Sequence, residues 1–298
     1  MKKNGLTISM IFEAESANYG EGFGNITVLK KLGRNNQKQY TYISRQALRY
    51  NMMQQLGWDT TPVVQEKKVV QFAKDATIAD YPELDFFVYL KTTSGKDEKK
   101  KAEKEEKSKG TSSKRAAVVR LSNAIALESY NGDMDYLTNM GLANRDNLDN
   151  MIAQSEIHKS FYAYTITIDL DRIGIDGDIV LKNEAKAQRV KDFLDTVQFL
   201  YRDIKGRREN LSPIFIVGGV YSRKNPYFEN RLMLHEMSLN IEVLASVLKS
   251  NEDVQENSVV GCMDGIFANS KSIKEKLQAV SVTEVFNHLK DEVDTYYE

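Results

Sequence analysis

The residues of this chain whose types and spacing best fit a chemical task lie close together near its start. They are the alternating glycines Gly20, Gly22 and Gly24, the pair Lys30 and Lys31, and two arginines four positions apart, Arg45 and Arg49. Glycine lets the backbone bend sharply and approach a ligand closely, because it has no Cβ. Arginines four apart share one face of a helix, and unpaired N–H groups at a helix N-terminus favour anions. The set predicts a phosphate-binding surface that grips a nucleic-acid backbone.

Two predicted elements position these residues. LTISMIF (6–12) combines alternation with β-branched residues and predicts a strand that leads into a glycine loop at NYGEGFGN (18–25). A helix is predicted to start near Ser44, with Leu48, Met52 and Leu56 recurring every four residues and Gly57 ending it. The arginines would then extend the apolar stripe of this helix at its N-terminal end.

The charge distribution supports a basic surface on one side of the molecule. The chain carries 41 Lys and Arg against 42 Asp and Glu. Residues 1–50 alone hold eight basic and three acidic side chains, a net charge of +5, which leaves −6 for the remainder. A basic cleft on an otherwise acidic protein suits a single strand of nucleic acid bound in a defined groove. The alternative is that the asymmetry arose by chance.

Composition indicates a globular protein with a large core. The chain has 298 residues, of which 41% are hydrophobic. A single cysteine, Cys262, excludes an intramolecular disulfide framework and fits a reducing compartment. No segment approaches the roughly 20 apolar residues that a bilayer span requires. We therefore expect a cytoplasmic protein without a membrane partner.

The remaining pattern predicts an α+β fold. Further strands are predicted at 85–91, 116–127, 161–170 and 213–219, a helix at 185–201, and a final helix that begins with a capping box of Ser281 and Glu284. Strands interrupted by helices without a regular βαβ repeat favour one sheet with helices on one face. A ferredoxin-like core with long insertions, the platform of the RRM, fits this pattern. A single domain would span residues 1–298.

Two segments between these elements differ in composition from the rest. Residues 92–115 are charged and nearly free of apolar side chains, which predicts a disordered excursion between two strands, solvated or in contact with a polyanion. Residues 128–160 are polar and rich in turn formers, with scattered Met and Leu. They predict a projecting arm.

Other residues offer weaker hints of nucleic-acid contact. Gly218 and Gly219 end a predicted strand and precede Arg223, where aromatic and basic residues interleave. A plain turn explains these residues nearly as well. His158, at the end of the arm, could contact nucleic acid or simply pack at the surface.

Motifs for common enzyme chemistry fail on inspection. The glycines are not spaced as Gly-x-Gly-x-x-Gly, and no Gly-Lys-Ser or Gly-Lys-Thr occurs. The three histidines are far apart in sequence. The calcium-loop pattern that begins at Asp169 is broken at Ile173 and at Val180, so a solvated turn is expected at residues 169–178. No metal or cofactor is predicted.

Several segments, taken in order along almost the full chain, resemble the DevR branch of CRISPR Cascade backbone subunits. This branch belongs to the repeat-associated mysterious protein superfamily. The segments are strand 6–12, NYGEGFGN (18–25), Lys30 and Lys31, YISRQALRY (42–50), SEIHKSFYAYTITIDLDRIG (155–174) and the Gly218–Gly219 loop. The resemblance implies a modified RRM core called the palm, a finger insertion at 92–115 and a β-hairpin thumb at 128–160. It also implies several copies in a helical filament on one CRISPR RNA, for antiviral defence.

The resemblance implies roles for particular residues. Guide RNA would be held by the glycine-bearing segment with Asn18, Tyr19 and Asn25, and by Ser44, Arg45, Gln46 and Arg49. Met140 and Leu142 in the thumb would wedge a base out of its stack. The implied partners are CRISPR RNA, the target DNA strand, other copies of the chain, and the large, small and 5′-handle-capping Cascade subunits.

Two alternatives to a binding subunit without catalytic activity stay open. Related subunits that cut target RNA carry an aspartate near the N-terminal glycines, where this chain has Asn18 and Glu21. A metal-dependent RNA endonuclease could still use carboxylates such as Glu21, Asp169 and Asp171. The other alternative is an interaction scaffold whose basic residues are incidental.

Overall fold

The computed structural model describes residues 2–15, 18–34, 37–66, 68–87, 89–92 and 112–298. Its strands, numbered along the chain, are β1 (Gly5–Ala14), β2 (Tyr19–Phe23), β3 (Ile26–Leu29), β4 (Lys31–Gly33), β5 (Gln39–Ile43), β6 (Val63–Glu66), β7 (Val69–Phe72), β8 (Tyr89–Thr92), β9 (Ser112–Arg115), β10 (Val119–Leu121), β11 (Ala124–Ala126), β12 (Asp133–Thr138), β13 (Ile152–Ile157), β14 (Ser160–Asp169), β15 (Ile175–Asp176), β16 (Ile179–Val180), β17 (Tyr201–Ile204), β18 (Arg207–Asn210), β19 (Phe215–Tyr221), β20 (Leu234–His235), β21 (Ser238–Leu239) and β22 (Ser258–Cys262). Its helices are α1 (Arg45–Leu56), α2 (Pro82–Phe86), α3 (Met140–Ala143), α4 (Asn183–Gln198), α5 (Ile241–Leu248), α6 (Glu252–Asn257), α7 (Ser270–Leu277) and α8 (Val282–Tyr297).

A central antiparallel sheet organises the fold. Its strand order is β22-β19-β1-β14-β11-β5-β4, and β10 also pairs with β14. The longest ladder joins β1 to β14 over ten residue pairs, from Gly5 with Asp169 to Ala14 with Ser160. Because β1 is buried at nearly every position, both faces of the sheet are covered. The mixed α+β class predicted from the sequence is confirmed.

Helices cover both faces of the sheet. Alternate residues of β1, such as Ile8 and Met10, pack into a core with helices α1, α4 and α8. Ile11 points to the other face, where a second core is built with α5, α6 and α7. The prediction of helices on one face only is therefore wrong. The physical reason is that β1 and β19 carry apolar residues on both faces, so each face needs a cover.

Several local signals in the sequence are confirmed. Helix α1 starts after Ser44, whose hydroxyl accepts a hydrogen bond from the Ala47 N–H, and it ends at Gly57 in the left-handed conformation, with φ 66°. The capping box of Ser281 and Glu284 begins α8. These signals succeed because a helix end depends on residues a few positions away.

The predicted strand at 85–91 is wrong in its first half. Pro82 opens the short helix α2, and the next strand begins only at Tyr89. Asp85 lies in this helix, fully buried, between the guanidinium groups of Arg115 and Arg189 at 2.9 and 3.0 Å. A buried carboxylate with two cationic partners overrides the local strand preference.

The charged insertion predicted at 92–115 lies mostly outside the described residues. Its last four residues form β9, which pairs with β8, and Arg115 is buried against Asp85 instead of solvated. The strand predicted at 116–127 is two short strands, β10 and β11. They are separated at Ser122, whose Oγ accepts a hydrogen bond from the Thr165 N–H.

The segment predicted to project, 128–160, contains an antiparallel hairpin, and we call this segment the arm. Strands β12 and β13 pair over six positions, with α3 between them. Strand β13 also pairs in parallel with β3, so the hairpin joins β2 and β3 in a second, four-stranded sheet. Among the described helices, none is long and apolar enough to cross a membrane.

Candidate nucleic-acid interface

The start of helix α1 is held by side chains from two distant parts of the chain. Asn18 Oδ1 accepts a hydrogen bond from the Ser44 N–H at 3.2 Å, and Asn123 Oδ1 accepts one from the Arg45 N–H at 2.9 Å. Ser44 Oγ accepts one from the Ala47 N–H. Most N–H groups that could attract an anion here are already bonded. Asn18 and Ser44 fix the helix end, and their predicted contact with guide RNA stays a prediction.

Arg45 remains available for a ligand. Its side chain is exposed and forms no ion pair within the part of the chain that the structure describes. Gln46 beside it is exposed as well. Arg34, an exposed residue near the same edge of the sheet, lies over the Tyr40 ring, with its guanidinium carbon 4.9 Å from the ring centre. Arg34 and Arg45 together place two cations at one edge of the sheet.

These two arginines line a cleft of about 350 Å³ on the second face of the sheet. We call it the β10–β11 cleft. Its other lining residues are Leu121, Ser122, Asn123, Ile125, Leu127, Ala163, Tyr164, Thr165, Phe228, Glu229, Asn230 and Leu232. A cleft with cations at its mouth can receive an anionic ligand.

Arg49 is committed to the protein itself. Its Nη2 lies 2.7 Å from Glu83 Oε1, and its guanidinium carbon lies 4.4 Å from the centre of the Phe87 ring. The pair is mostly shielded from solvent. The prediction that Arg49 holds a guide phosphate stays a prediction, and such a contact would compete with the pair to Glu83. The pair forms because one turn after Arg45 the helix surface meets α2, which supplies a carboxylate.

Lys31 is also occupied. Its Nζ lies 2.5 and 2.6 Å from the two carboxylate oxygens of Glu156, and 4.3 Å from the centre of the Tyr130 ring. Glu156 also accepts a hydrogen bond from the Leu29 N–H at 2.7 Å. Burial would raise the pKa of Glu156, but Lys31 and the Leu29 N–H outweigh burial and lower that pKa. Lys31 therefore anchors the arm, whereas Lys30 has no ion pair among the described residues.

The glycine segment is a hairpin and not a loop. Gly20 and Gly22 lie inside β2, and the chain turns at Gly24 and Asn25. Only Gly24 among these three glycines has a positive φ, of 58°. The carbonyl of Asn25 accepts a hydrogen bond from the Gln154 N–H in the arm. The predicted phosphate loop is thus mainly a strand that supports the arm.

Tyr19 and His158 take part in packing at the base of the arm. The Tyr19 hydroxyl donates to the Glu156 carbonyl at 3.1 Å. His158 Nδ1 lies 2.7 Å from Thr41 Oγ1, and its ring packs edge-on against Tyr130. Burial lowers the pKa of His158 despite the opposing effect of nearby Glu128. A neutral, packed histidine is a poor phosphate ligand, so the structure favours the surface-packing alternative.

Gly218 and Gly219 do not form a ligand loop. Both lie inside β19, and a Cβ on Gly218 would stand 2.1 Å from the Thr7 carbonyl oxygen. A Cβ on Gly219 would stand 1.8 Å from the Asn257 carbonyl oxygen. The expected close approach exists, but it is to the protein's own backbone. RNA contact at these glycines stays a prediction that the packing does not require, while Arg223 lies exposed beyond the strand.

The tip of the arm presents apolar side chains to solvent. Met140 is 55% and Leu142 52% exposed. Further exposed apolar residues of the arm are Tyr136, Leu137, Leu148, Met151 and Ile152. Exposed apolar side chains that lie together are common in surfaces that contact other proteins.

The carboxylates proposed for metal chemistry are paired with cations. Asp169 accepts two hydrogen bonds from Arg120, each of 2.9 Å, and Asp171 lies 2.5 Å from Lys224. Burial would raise the pKa of Asp169, but Arg120 dominates and lowers it. No group of three or more His, Cys, Asp or Glu side chains able to hold a metal occurs among the described residues. The side chain of Glu21 lies outside the described residues.

Two residues of this interface, Arg34 and Asn123, are not identified as site residues by the sequence. In the sequence, Arg34 contributes only to the overall charge of the first fifty residues, and Asn123 carries no signal at all. Spacing cannot reveal Asn123, because it meets Arg45 from 78 residues away.

The fold is similar to a chain of a CRISPR RNA-guided surveillance complex in a pre-nicking state, with a TM-score of 0.60 and 12% identity over 97% of this chain and 100% of that one. A chain from another CRISPR RNA-guided surveillance complex matches with a TM-score of 0.54 and 12% identity over 98% of each chain. At such identity the likeness concerns the fold alone.

The family follows from the sequence. A family model described as CRISPR-associated negative auto-regulator DevR/Csa2 matches residues 6–232, well over half of the chain. The protein therefore belongs to the DevR/Csa2 family, as its sequence resemblance implied. No curated protein matches the sequence significantly.

Proposed function

We propose that this protein is a CRISPR RNA-binding backbone subunit of a Cascade surveillance complex, which oligomerises along the guide and presents it for pairing with target DNA. The observation that carries the proposal is that Arg34 and Arg45, at one edge of the sheet, have no carboxylate partner among the described residues. Membership of the DevR/Csa2 family supports it.

The division of labour in such a complex explains why a few cations suffice. The guide reads sequence by base pairing, so the protein needs only to hold the sugar-phosphate backbone. Arg45 suits this task because a guanidinium can bind a phosphate through two parallel hydrogen bonds. Gln46, next to Arg45 in the sequence, and Lys30, in the neighbouring part of the sheet, would add further contacts. Copies joined along one strand gain affinity because later contacts are effectively intramolecular.

The core is, in our proposal, a modified RRM of the ferredoxin-like type. The neighbouring strands β19, β1, β14 and β11 support this assignment, as does the chain order of β1, α1, β11, β14, α4 and β19, which is a β-α-β-β-α-β sequence. Leu48 of α1 and Phe193 of α4 pack on the same face of the sheet. This core would be the palm of the family, and the segment around 92–115 its finger.

The arm would act as the thumb. Its base is fixed to the palm by Glu156 and Lys31, and its exposed apolar tip leaves Met140 and Leu142 free to contact a neighbouring copy and an unstacked base. Other copies of the chain, and the large, small and 5′-handle-capping subunits, would complete the assembly. Target DNA would enter by pairing with the guide.

We propose that the subunit binds without catalysis. The cation-paired state of Asp169 and Asp171 supports this, because carboxylates already neutralised by Arg120 and Lys224 are poor ligands for a divalent metal. A metal-dependent endonuclease is not favoured by any contact of the described carboxylates.

Expression together with a CRISPR array tests the proposal. The protein should elute as a large particle that contains small RNA of one discrete length. Elution as a free monomer without RNA, in the presence of the other subunits and the array, would overturn it. Regular cuts in a complementary RNA on adding Mg²⁺ would establish the endonuclease instead.

A further inference from the structure

We infer that the hairpin of strands β6 and β7 is the surface on which the arm of a second copy of this chain docks, so that copies associate head to tail. We call residues 63–72 the valine hairpin. The inference rests on the proposed function and deepens it, because it names the two surfaces that join neighbouring copies along the RNA.

The valine hairpin exposes apolar side chains on both of its faces. Its two strands pair with each other and with no other described strand, and Val63 lies opposite Phe72. Because side chains alternate along a strand, Val63 and Val70 share one face, and Val64 and Val69 share the other. Val63, Val69 and Val70 are each at least 60% exposed. A ribbon of this kind is typical of a surface that contacts another protein.

The base of the valine hairpin is anchored to the rest of the chain. The Ala73 N–H donates a hydrogen bond to the Pro62 carbonyl at 2.8 Å, and Phe72 packs against a small buried cluster that includes Ile78 and Leu84. The exposed valines are therefore held in a defined position. Valine side chains neither bind phosphate nor stack on bases as aromatic rings do, so the surface suits a protein and not RNA.

The arm supplies an apolar surface that fits this role. The arm and the valine hairpin together hold more than half of the large apolar side chains that the described residues expose. Both surfaces are exposed in the same molecule, so an arm does not cover the hairpin of its own chain. The flexible Met and Leu side chains of the arm can adapt to the stiff, β-branched valines.

Charge favours an arm on a hairpin over two arms or two hairpins. Residues 128–160 hold six acidic and two basic side chains, a net charge of −4. Two of the acidic residues, Asp146 and Asp149, are exposed between α3 and β13, at the tip of the arm. The sequence places Lys67 and Lys68 at the turn of the valine hairpin, and Lys68 is exposed. Opposite charges around an apolar contact select the correct partner, and like charges oppose the wrong one.

A contact between two different surfaces also gives the right kind of assembly. It produces an open row of copies when the rotation between them does not close, whereas a surface that binds itself produces a closed pair. An open row is what a linear RNA requires. The contact need only be weak, because copies on one RNA meet at a high effective concentration.

RNAs of two lengths, titrated against the full-length protein, test the inference. The short RNA is the longest that binds one copy and the long RNA is the shortest that binds two, as measured by sedimentation. On the long RNA the second copy should bind about tenfold more tightly than the first, as expected when exposed valine surface is buried. Equal affinity of the two copies would overturn the inference and leave RNA binding standing. Absence of binding to either RNA would overturn both.

Two variants each disable one surface. Val69→Asp charges the valine hairpin and Leu148→Asp charges the arm, at side chains that are 63% and 65% exposed. Each should lower the affinity of the second copy about tenfold and leave binding to the short RNA unchanged. Val280→Asp is the matched control, at an exposed valine beside β22, and should change neither. If an aspartate variant fails to bind the short RNA, Val69→Thr and Leu148→Gln replace the pair, with an expected loss of about threefold.

An equal mixture of Val69→Asp and Leu148→Asp shows whether the two surfaces are partners. The first variant keeps an intact arm and the second an intact hairpin, so a mixed pair can form on the long RNA. Tighter binding of the second copy should therefore return in the mixture and stay absent with either variant alone. A mixture without this gain, or either variant showing it alone, would overturn the docking of arm on hairpin.

Discussion

Two groups of basic side chains, one at the base of the arm and one at the start of helix α1, make different contacts. At the base of the arm, Lys31 is held by Glu156, and Lys205 contacts Ser155 and lies 4.8 Å from the centre of the Tyr19 ring. At the start of α1, Arg45 has no ion pair among the described residues and Arg34 only stacks on Tyr40. The first set fixes the arm. The second set is the one that we propose for contact with RNA.

The difference shows that a basic residue can be judged as a phosphate-binding candidate only when its contacts within the protein are known. Lys30 and Lys31 are adjacent in sequence, yet among the described side chains only Lys31 is paired with a carboxylate. Arg45 and Arg49 are one helical turn apart, yet only Arg49 meets Glu83. A cation that already has a carboxylate must lose that contact before it binds phosphate, so its net gain from RNA is small.

The largest expected effect is on stability at the base of the arm. Glu156→Ala should lower the free energy of unfolding by about 2–3 kcal/mol, because it leaves Lys31 and the Leu29 N–H without their acceptor in a mostly shielded site. Denaturant unfolding measures the loss. Glu275→Ala, in an exposed pair with Lys271 on α7, is the control and should change stability by less than about 0.5 kcal/mol. Equal losses in the two variants would refute the anchoring role.

The next effect is on RNA affinity at the start of α1. Arg45→Gln should weaken binding to single-stranded RNA by about three- to tenfold at low salt, with unchanged stability. The slope of log affinity against log salt should fall in magnitude by about 0.7 for the lost phosphate contact. Lys271→Gln removes another exposed cation, from α7, and should leave binding unaltered. An unchanged salt slope in Arg45→Gln would count against a phosphate contact.

Arg49→Gln should show the opposite pattern. It removes the pair with Glu83 and the contact with Phe87, so stability should fall by about 1 kcal/mol. RNA affinity should change by less than about twofold, since the guanidinium is not offered to ligand. The RNA affinities of Arg49→Gln and Arg45→Gln should be measured side by side. A loss of affinity as large as that of Arg45→Gln would show that Arg49 belongs to the RNA-binding surface.

The smallest effect is a pH dependence from His158. Burial holds the folded-state pKa of His158 below its usual value near 6.5, so the unfolded chain binds the proton more readily. Stability should therefore decrease as the pH falls from about 6.5 toward the lowered pKa. Unfolding curves between pH 7.5 and pH 5.5, compared with His158→Gln, isolate this contribution. A wild-type profile parallel to that of the variant would show that the packing has no such consequence.

The sequence predicts the helices and strands better than it predicts the contacts between them. The limits of α1 followed from Ser44 and Gly57, because caps act through neighbours in sequence. The ion pair of Arg49 with Glu83 spans 34 positions and could not be deduced from periodicity. The glycines of β19 were correctly expected to allow a close approach, but nothing in the sequence distinguishes a ligand from the backbone of Thr7. Only the fold shows which group of the protein each of these residues contacts.

Retention of guide RNA by paired double variants tests the central claim most directly. Each variant would be expressed with the CRISPR array and the other subunits, and the RNA in the purified material quantified. Arg34→Gln with Arg45→Gln should lose most of the RNA, while Arg49→Gln with Arg208→Gln, whose arginines already have carboxylate partners, should retain it. Full retention by the first pair, or loss confined to the second, would contradict the account.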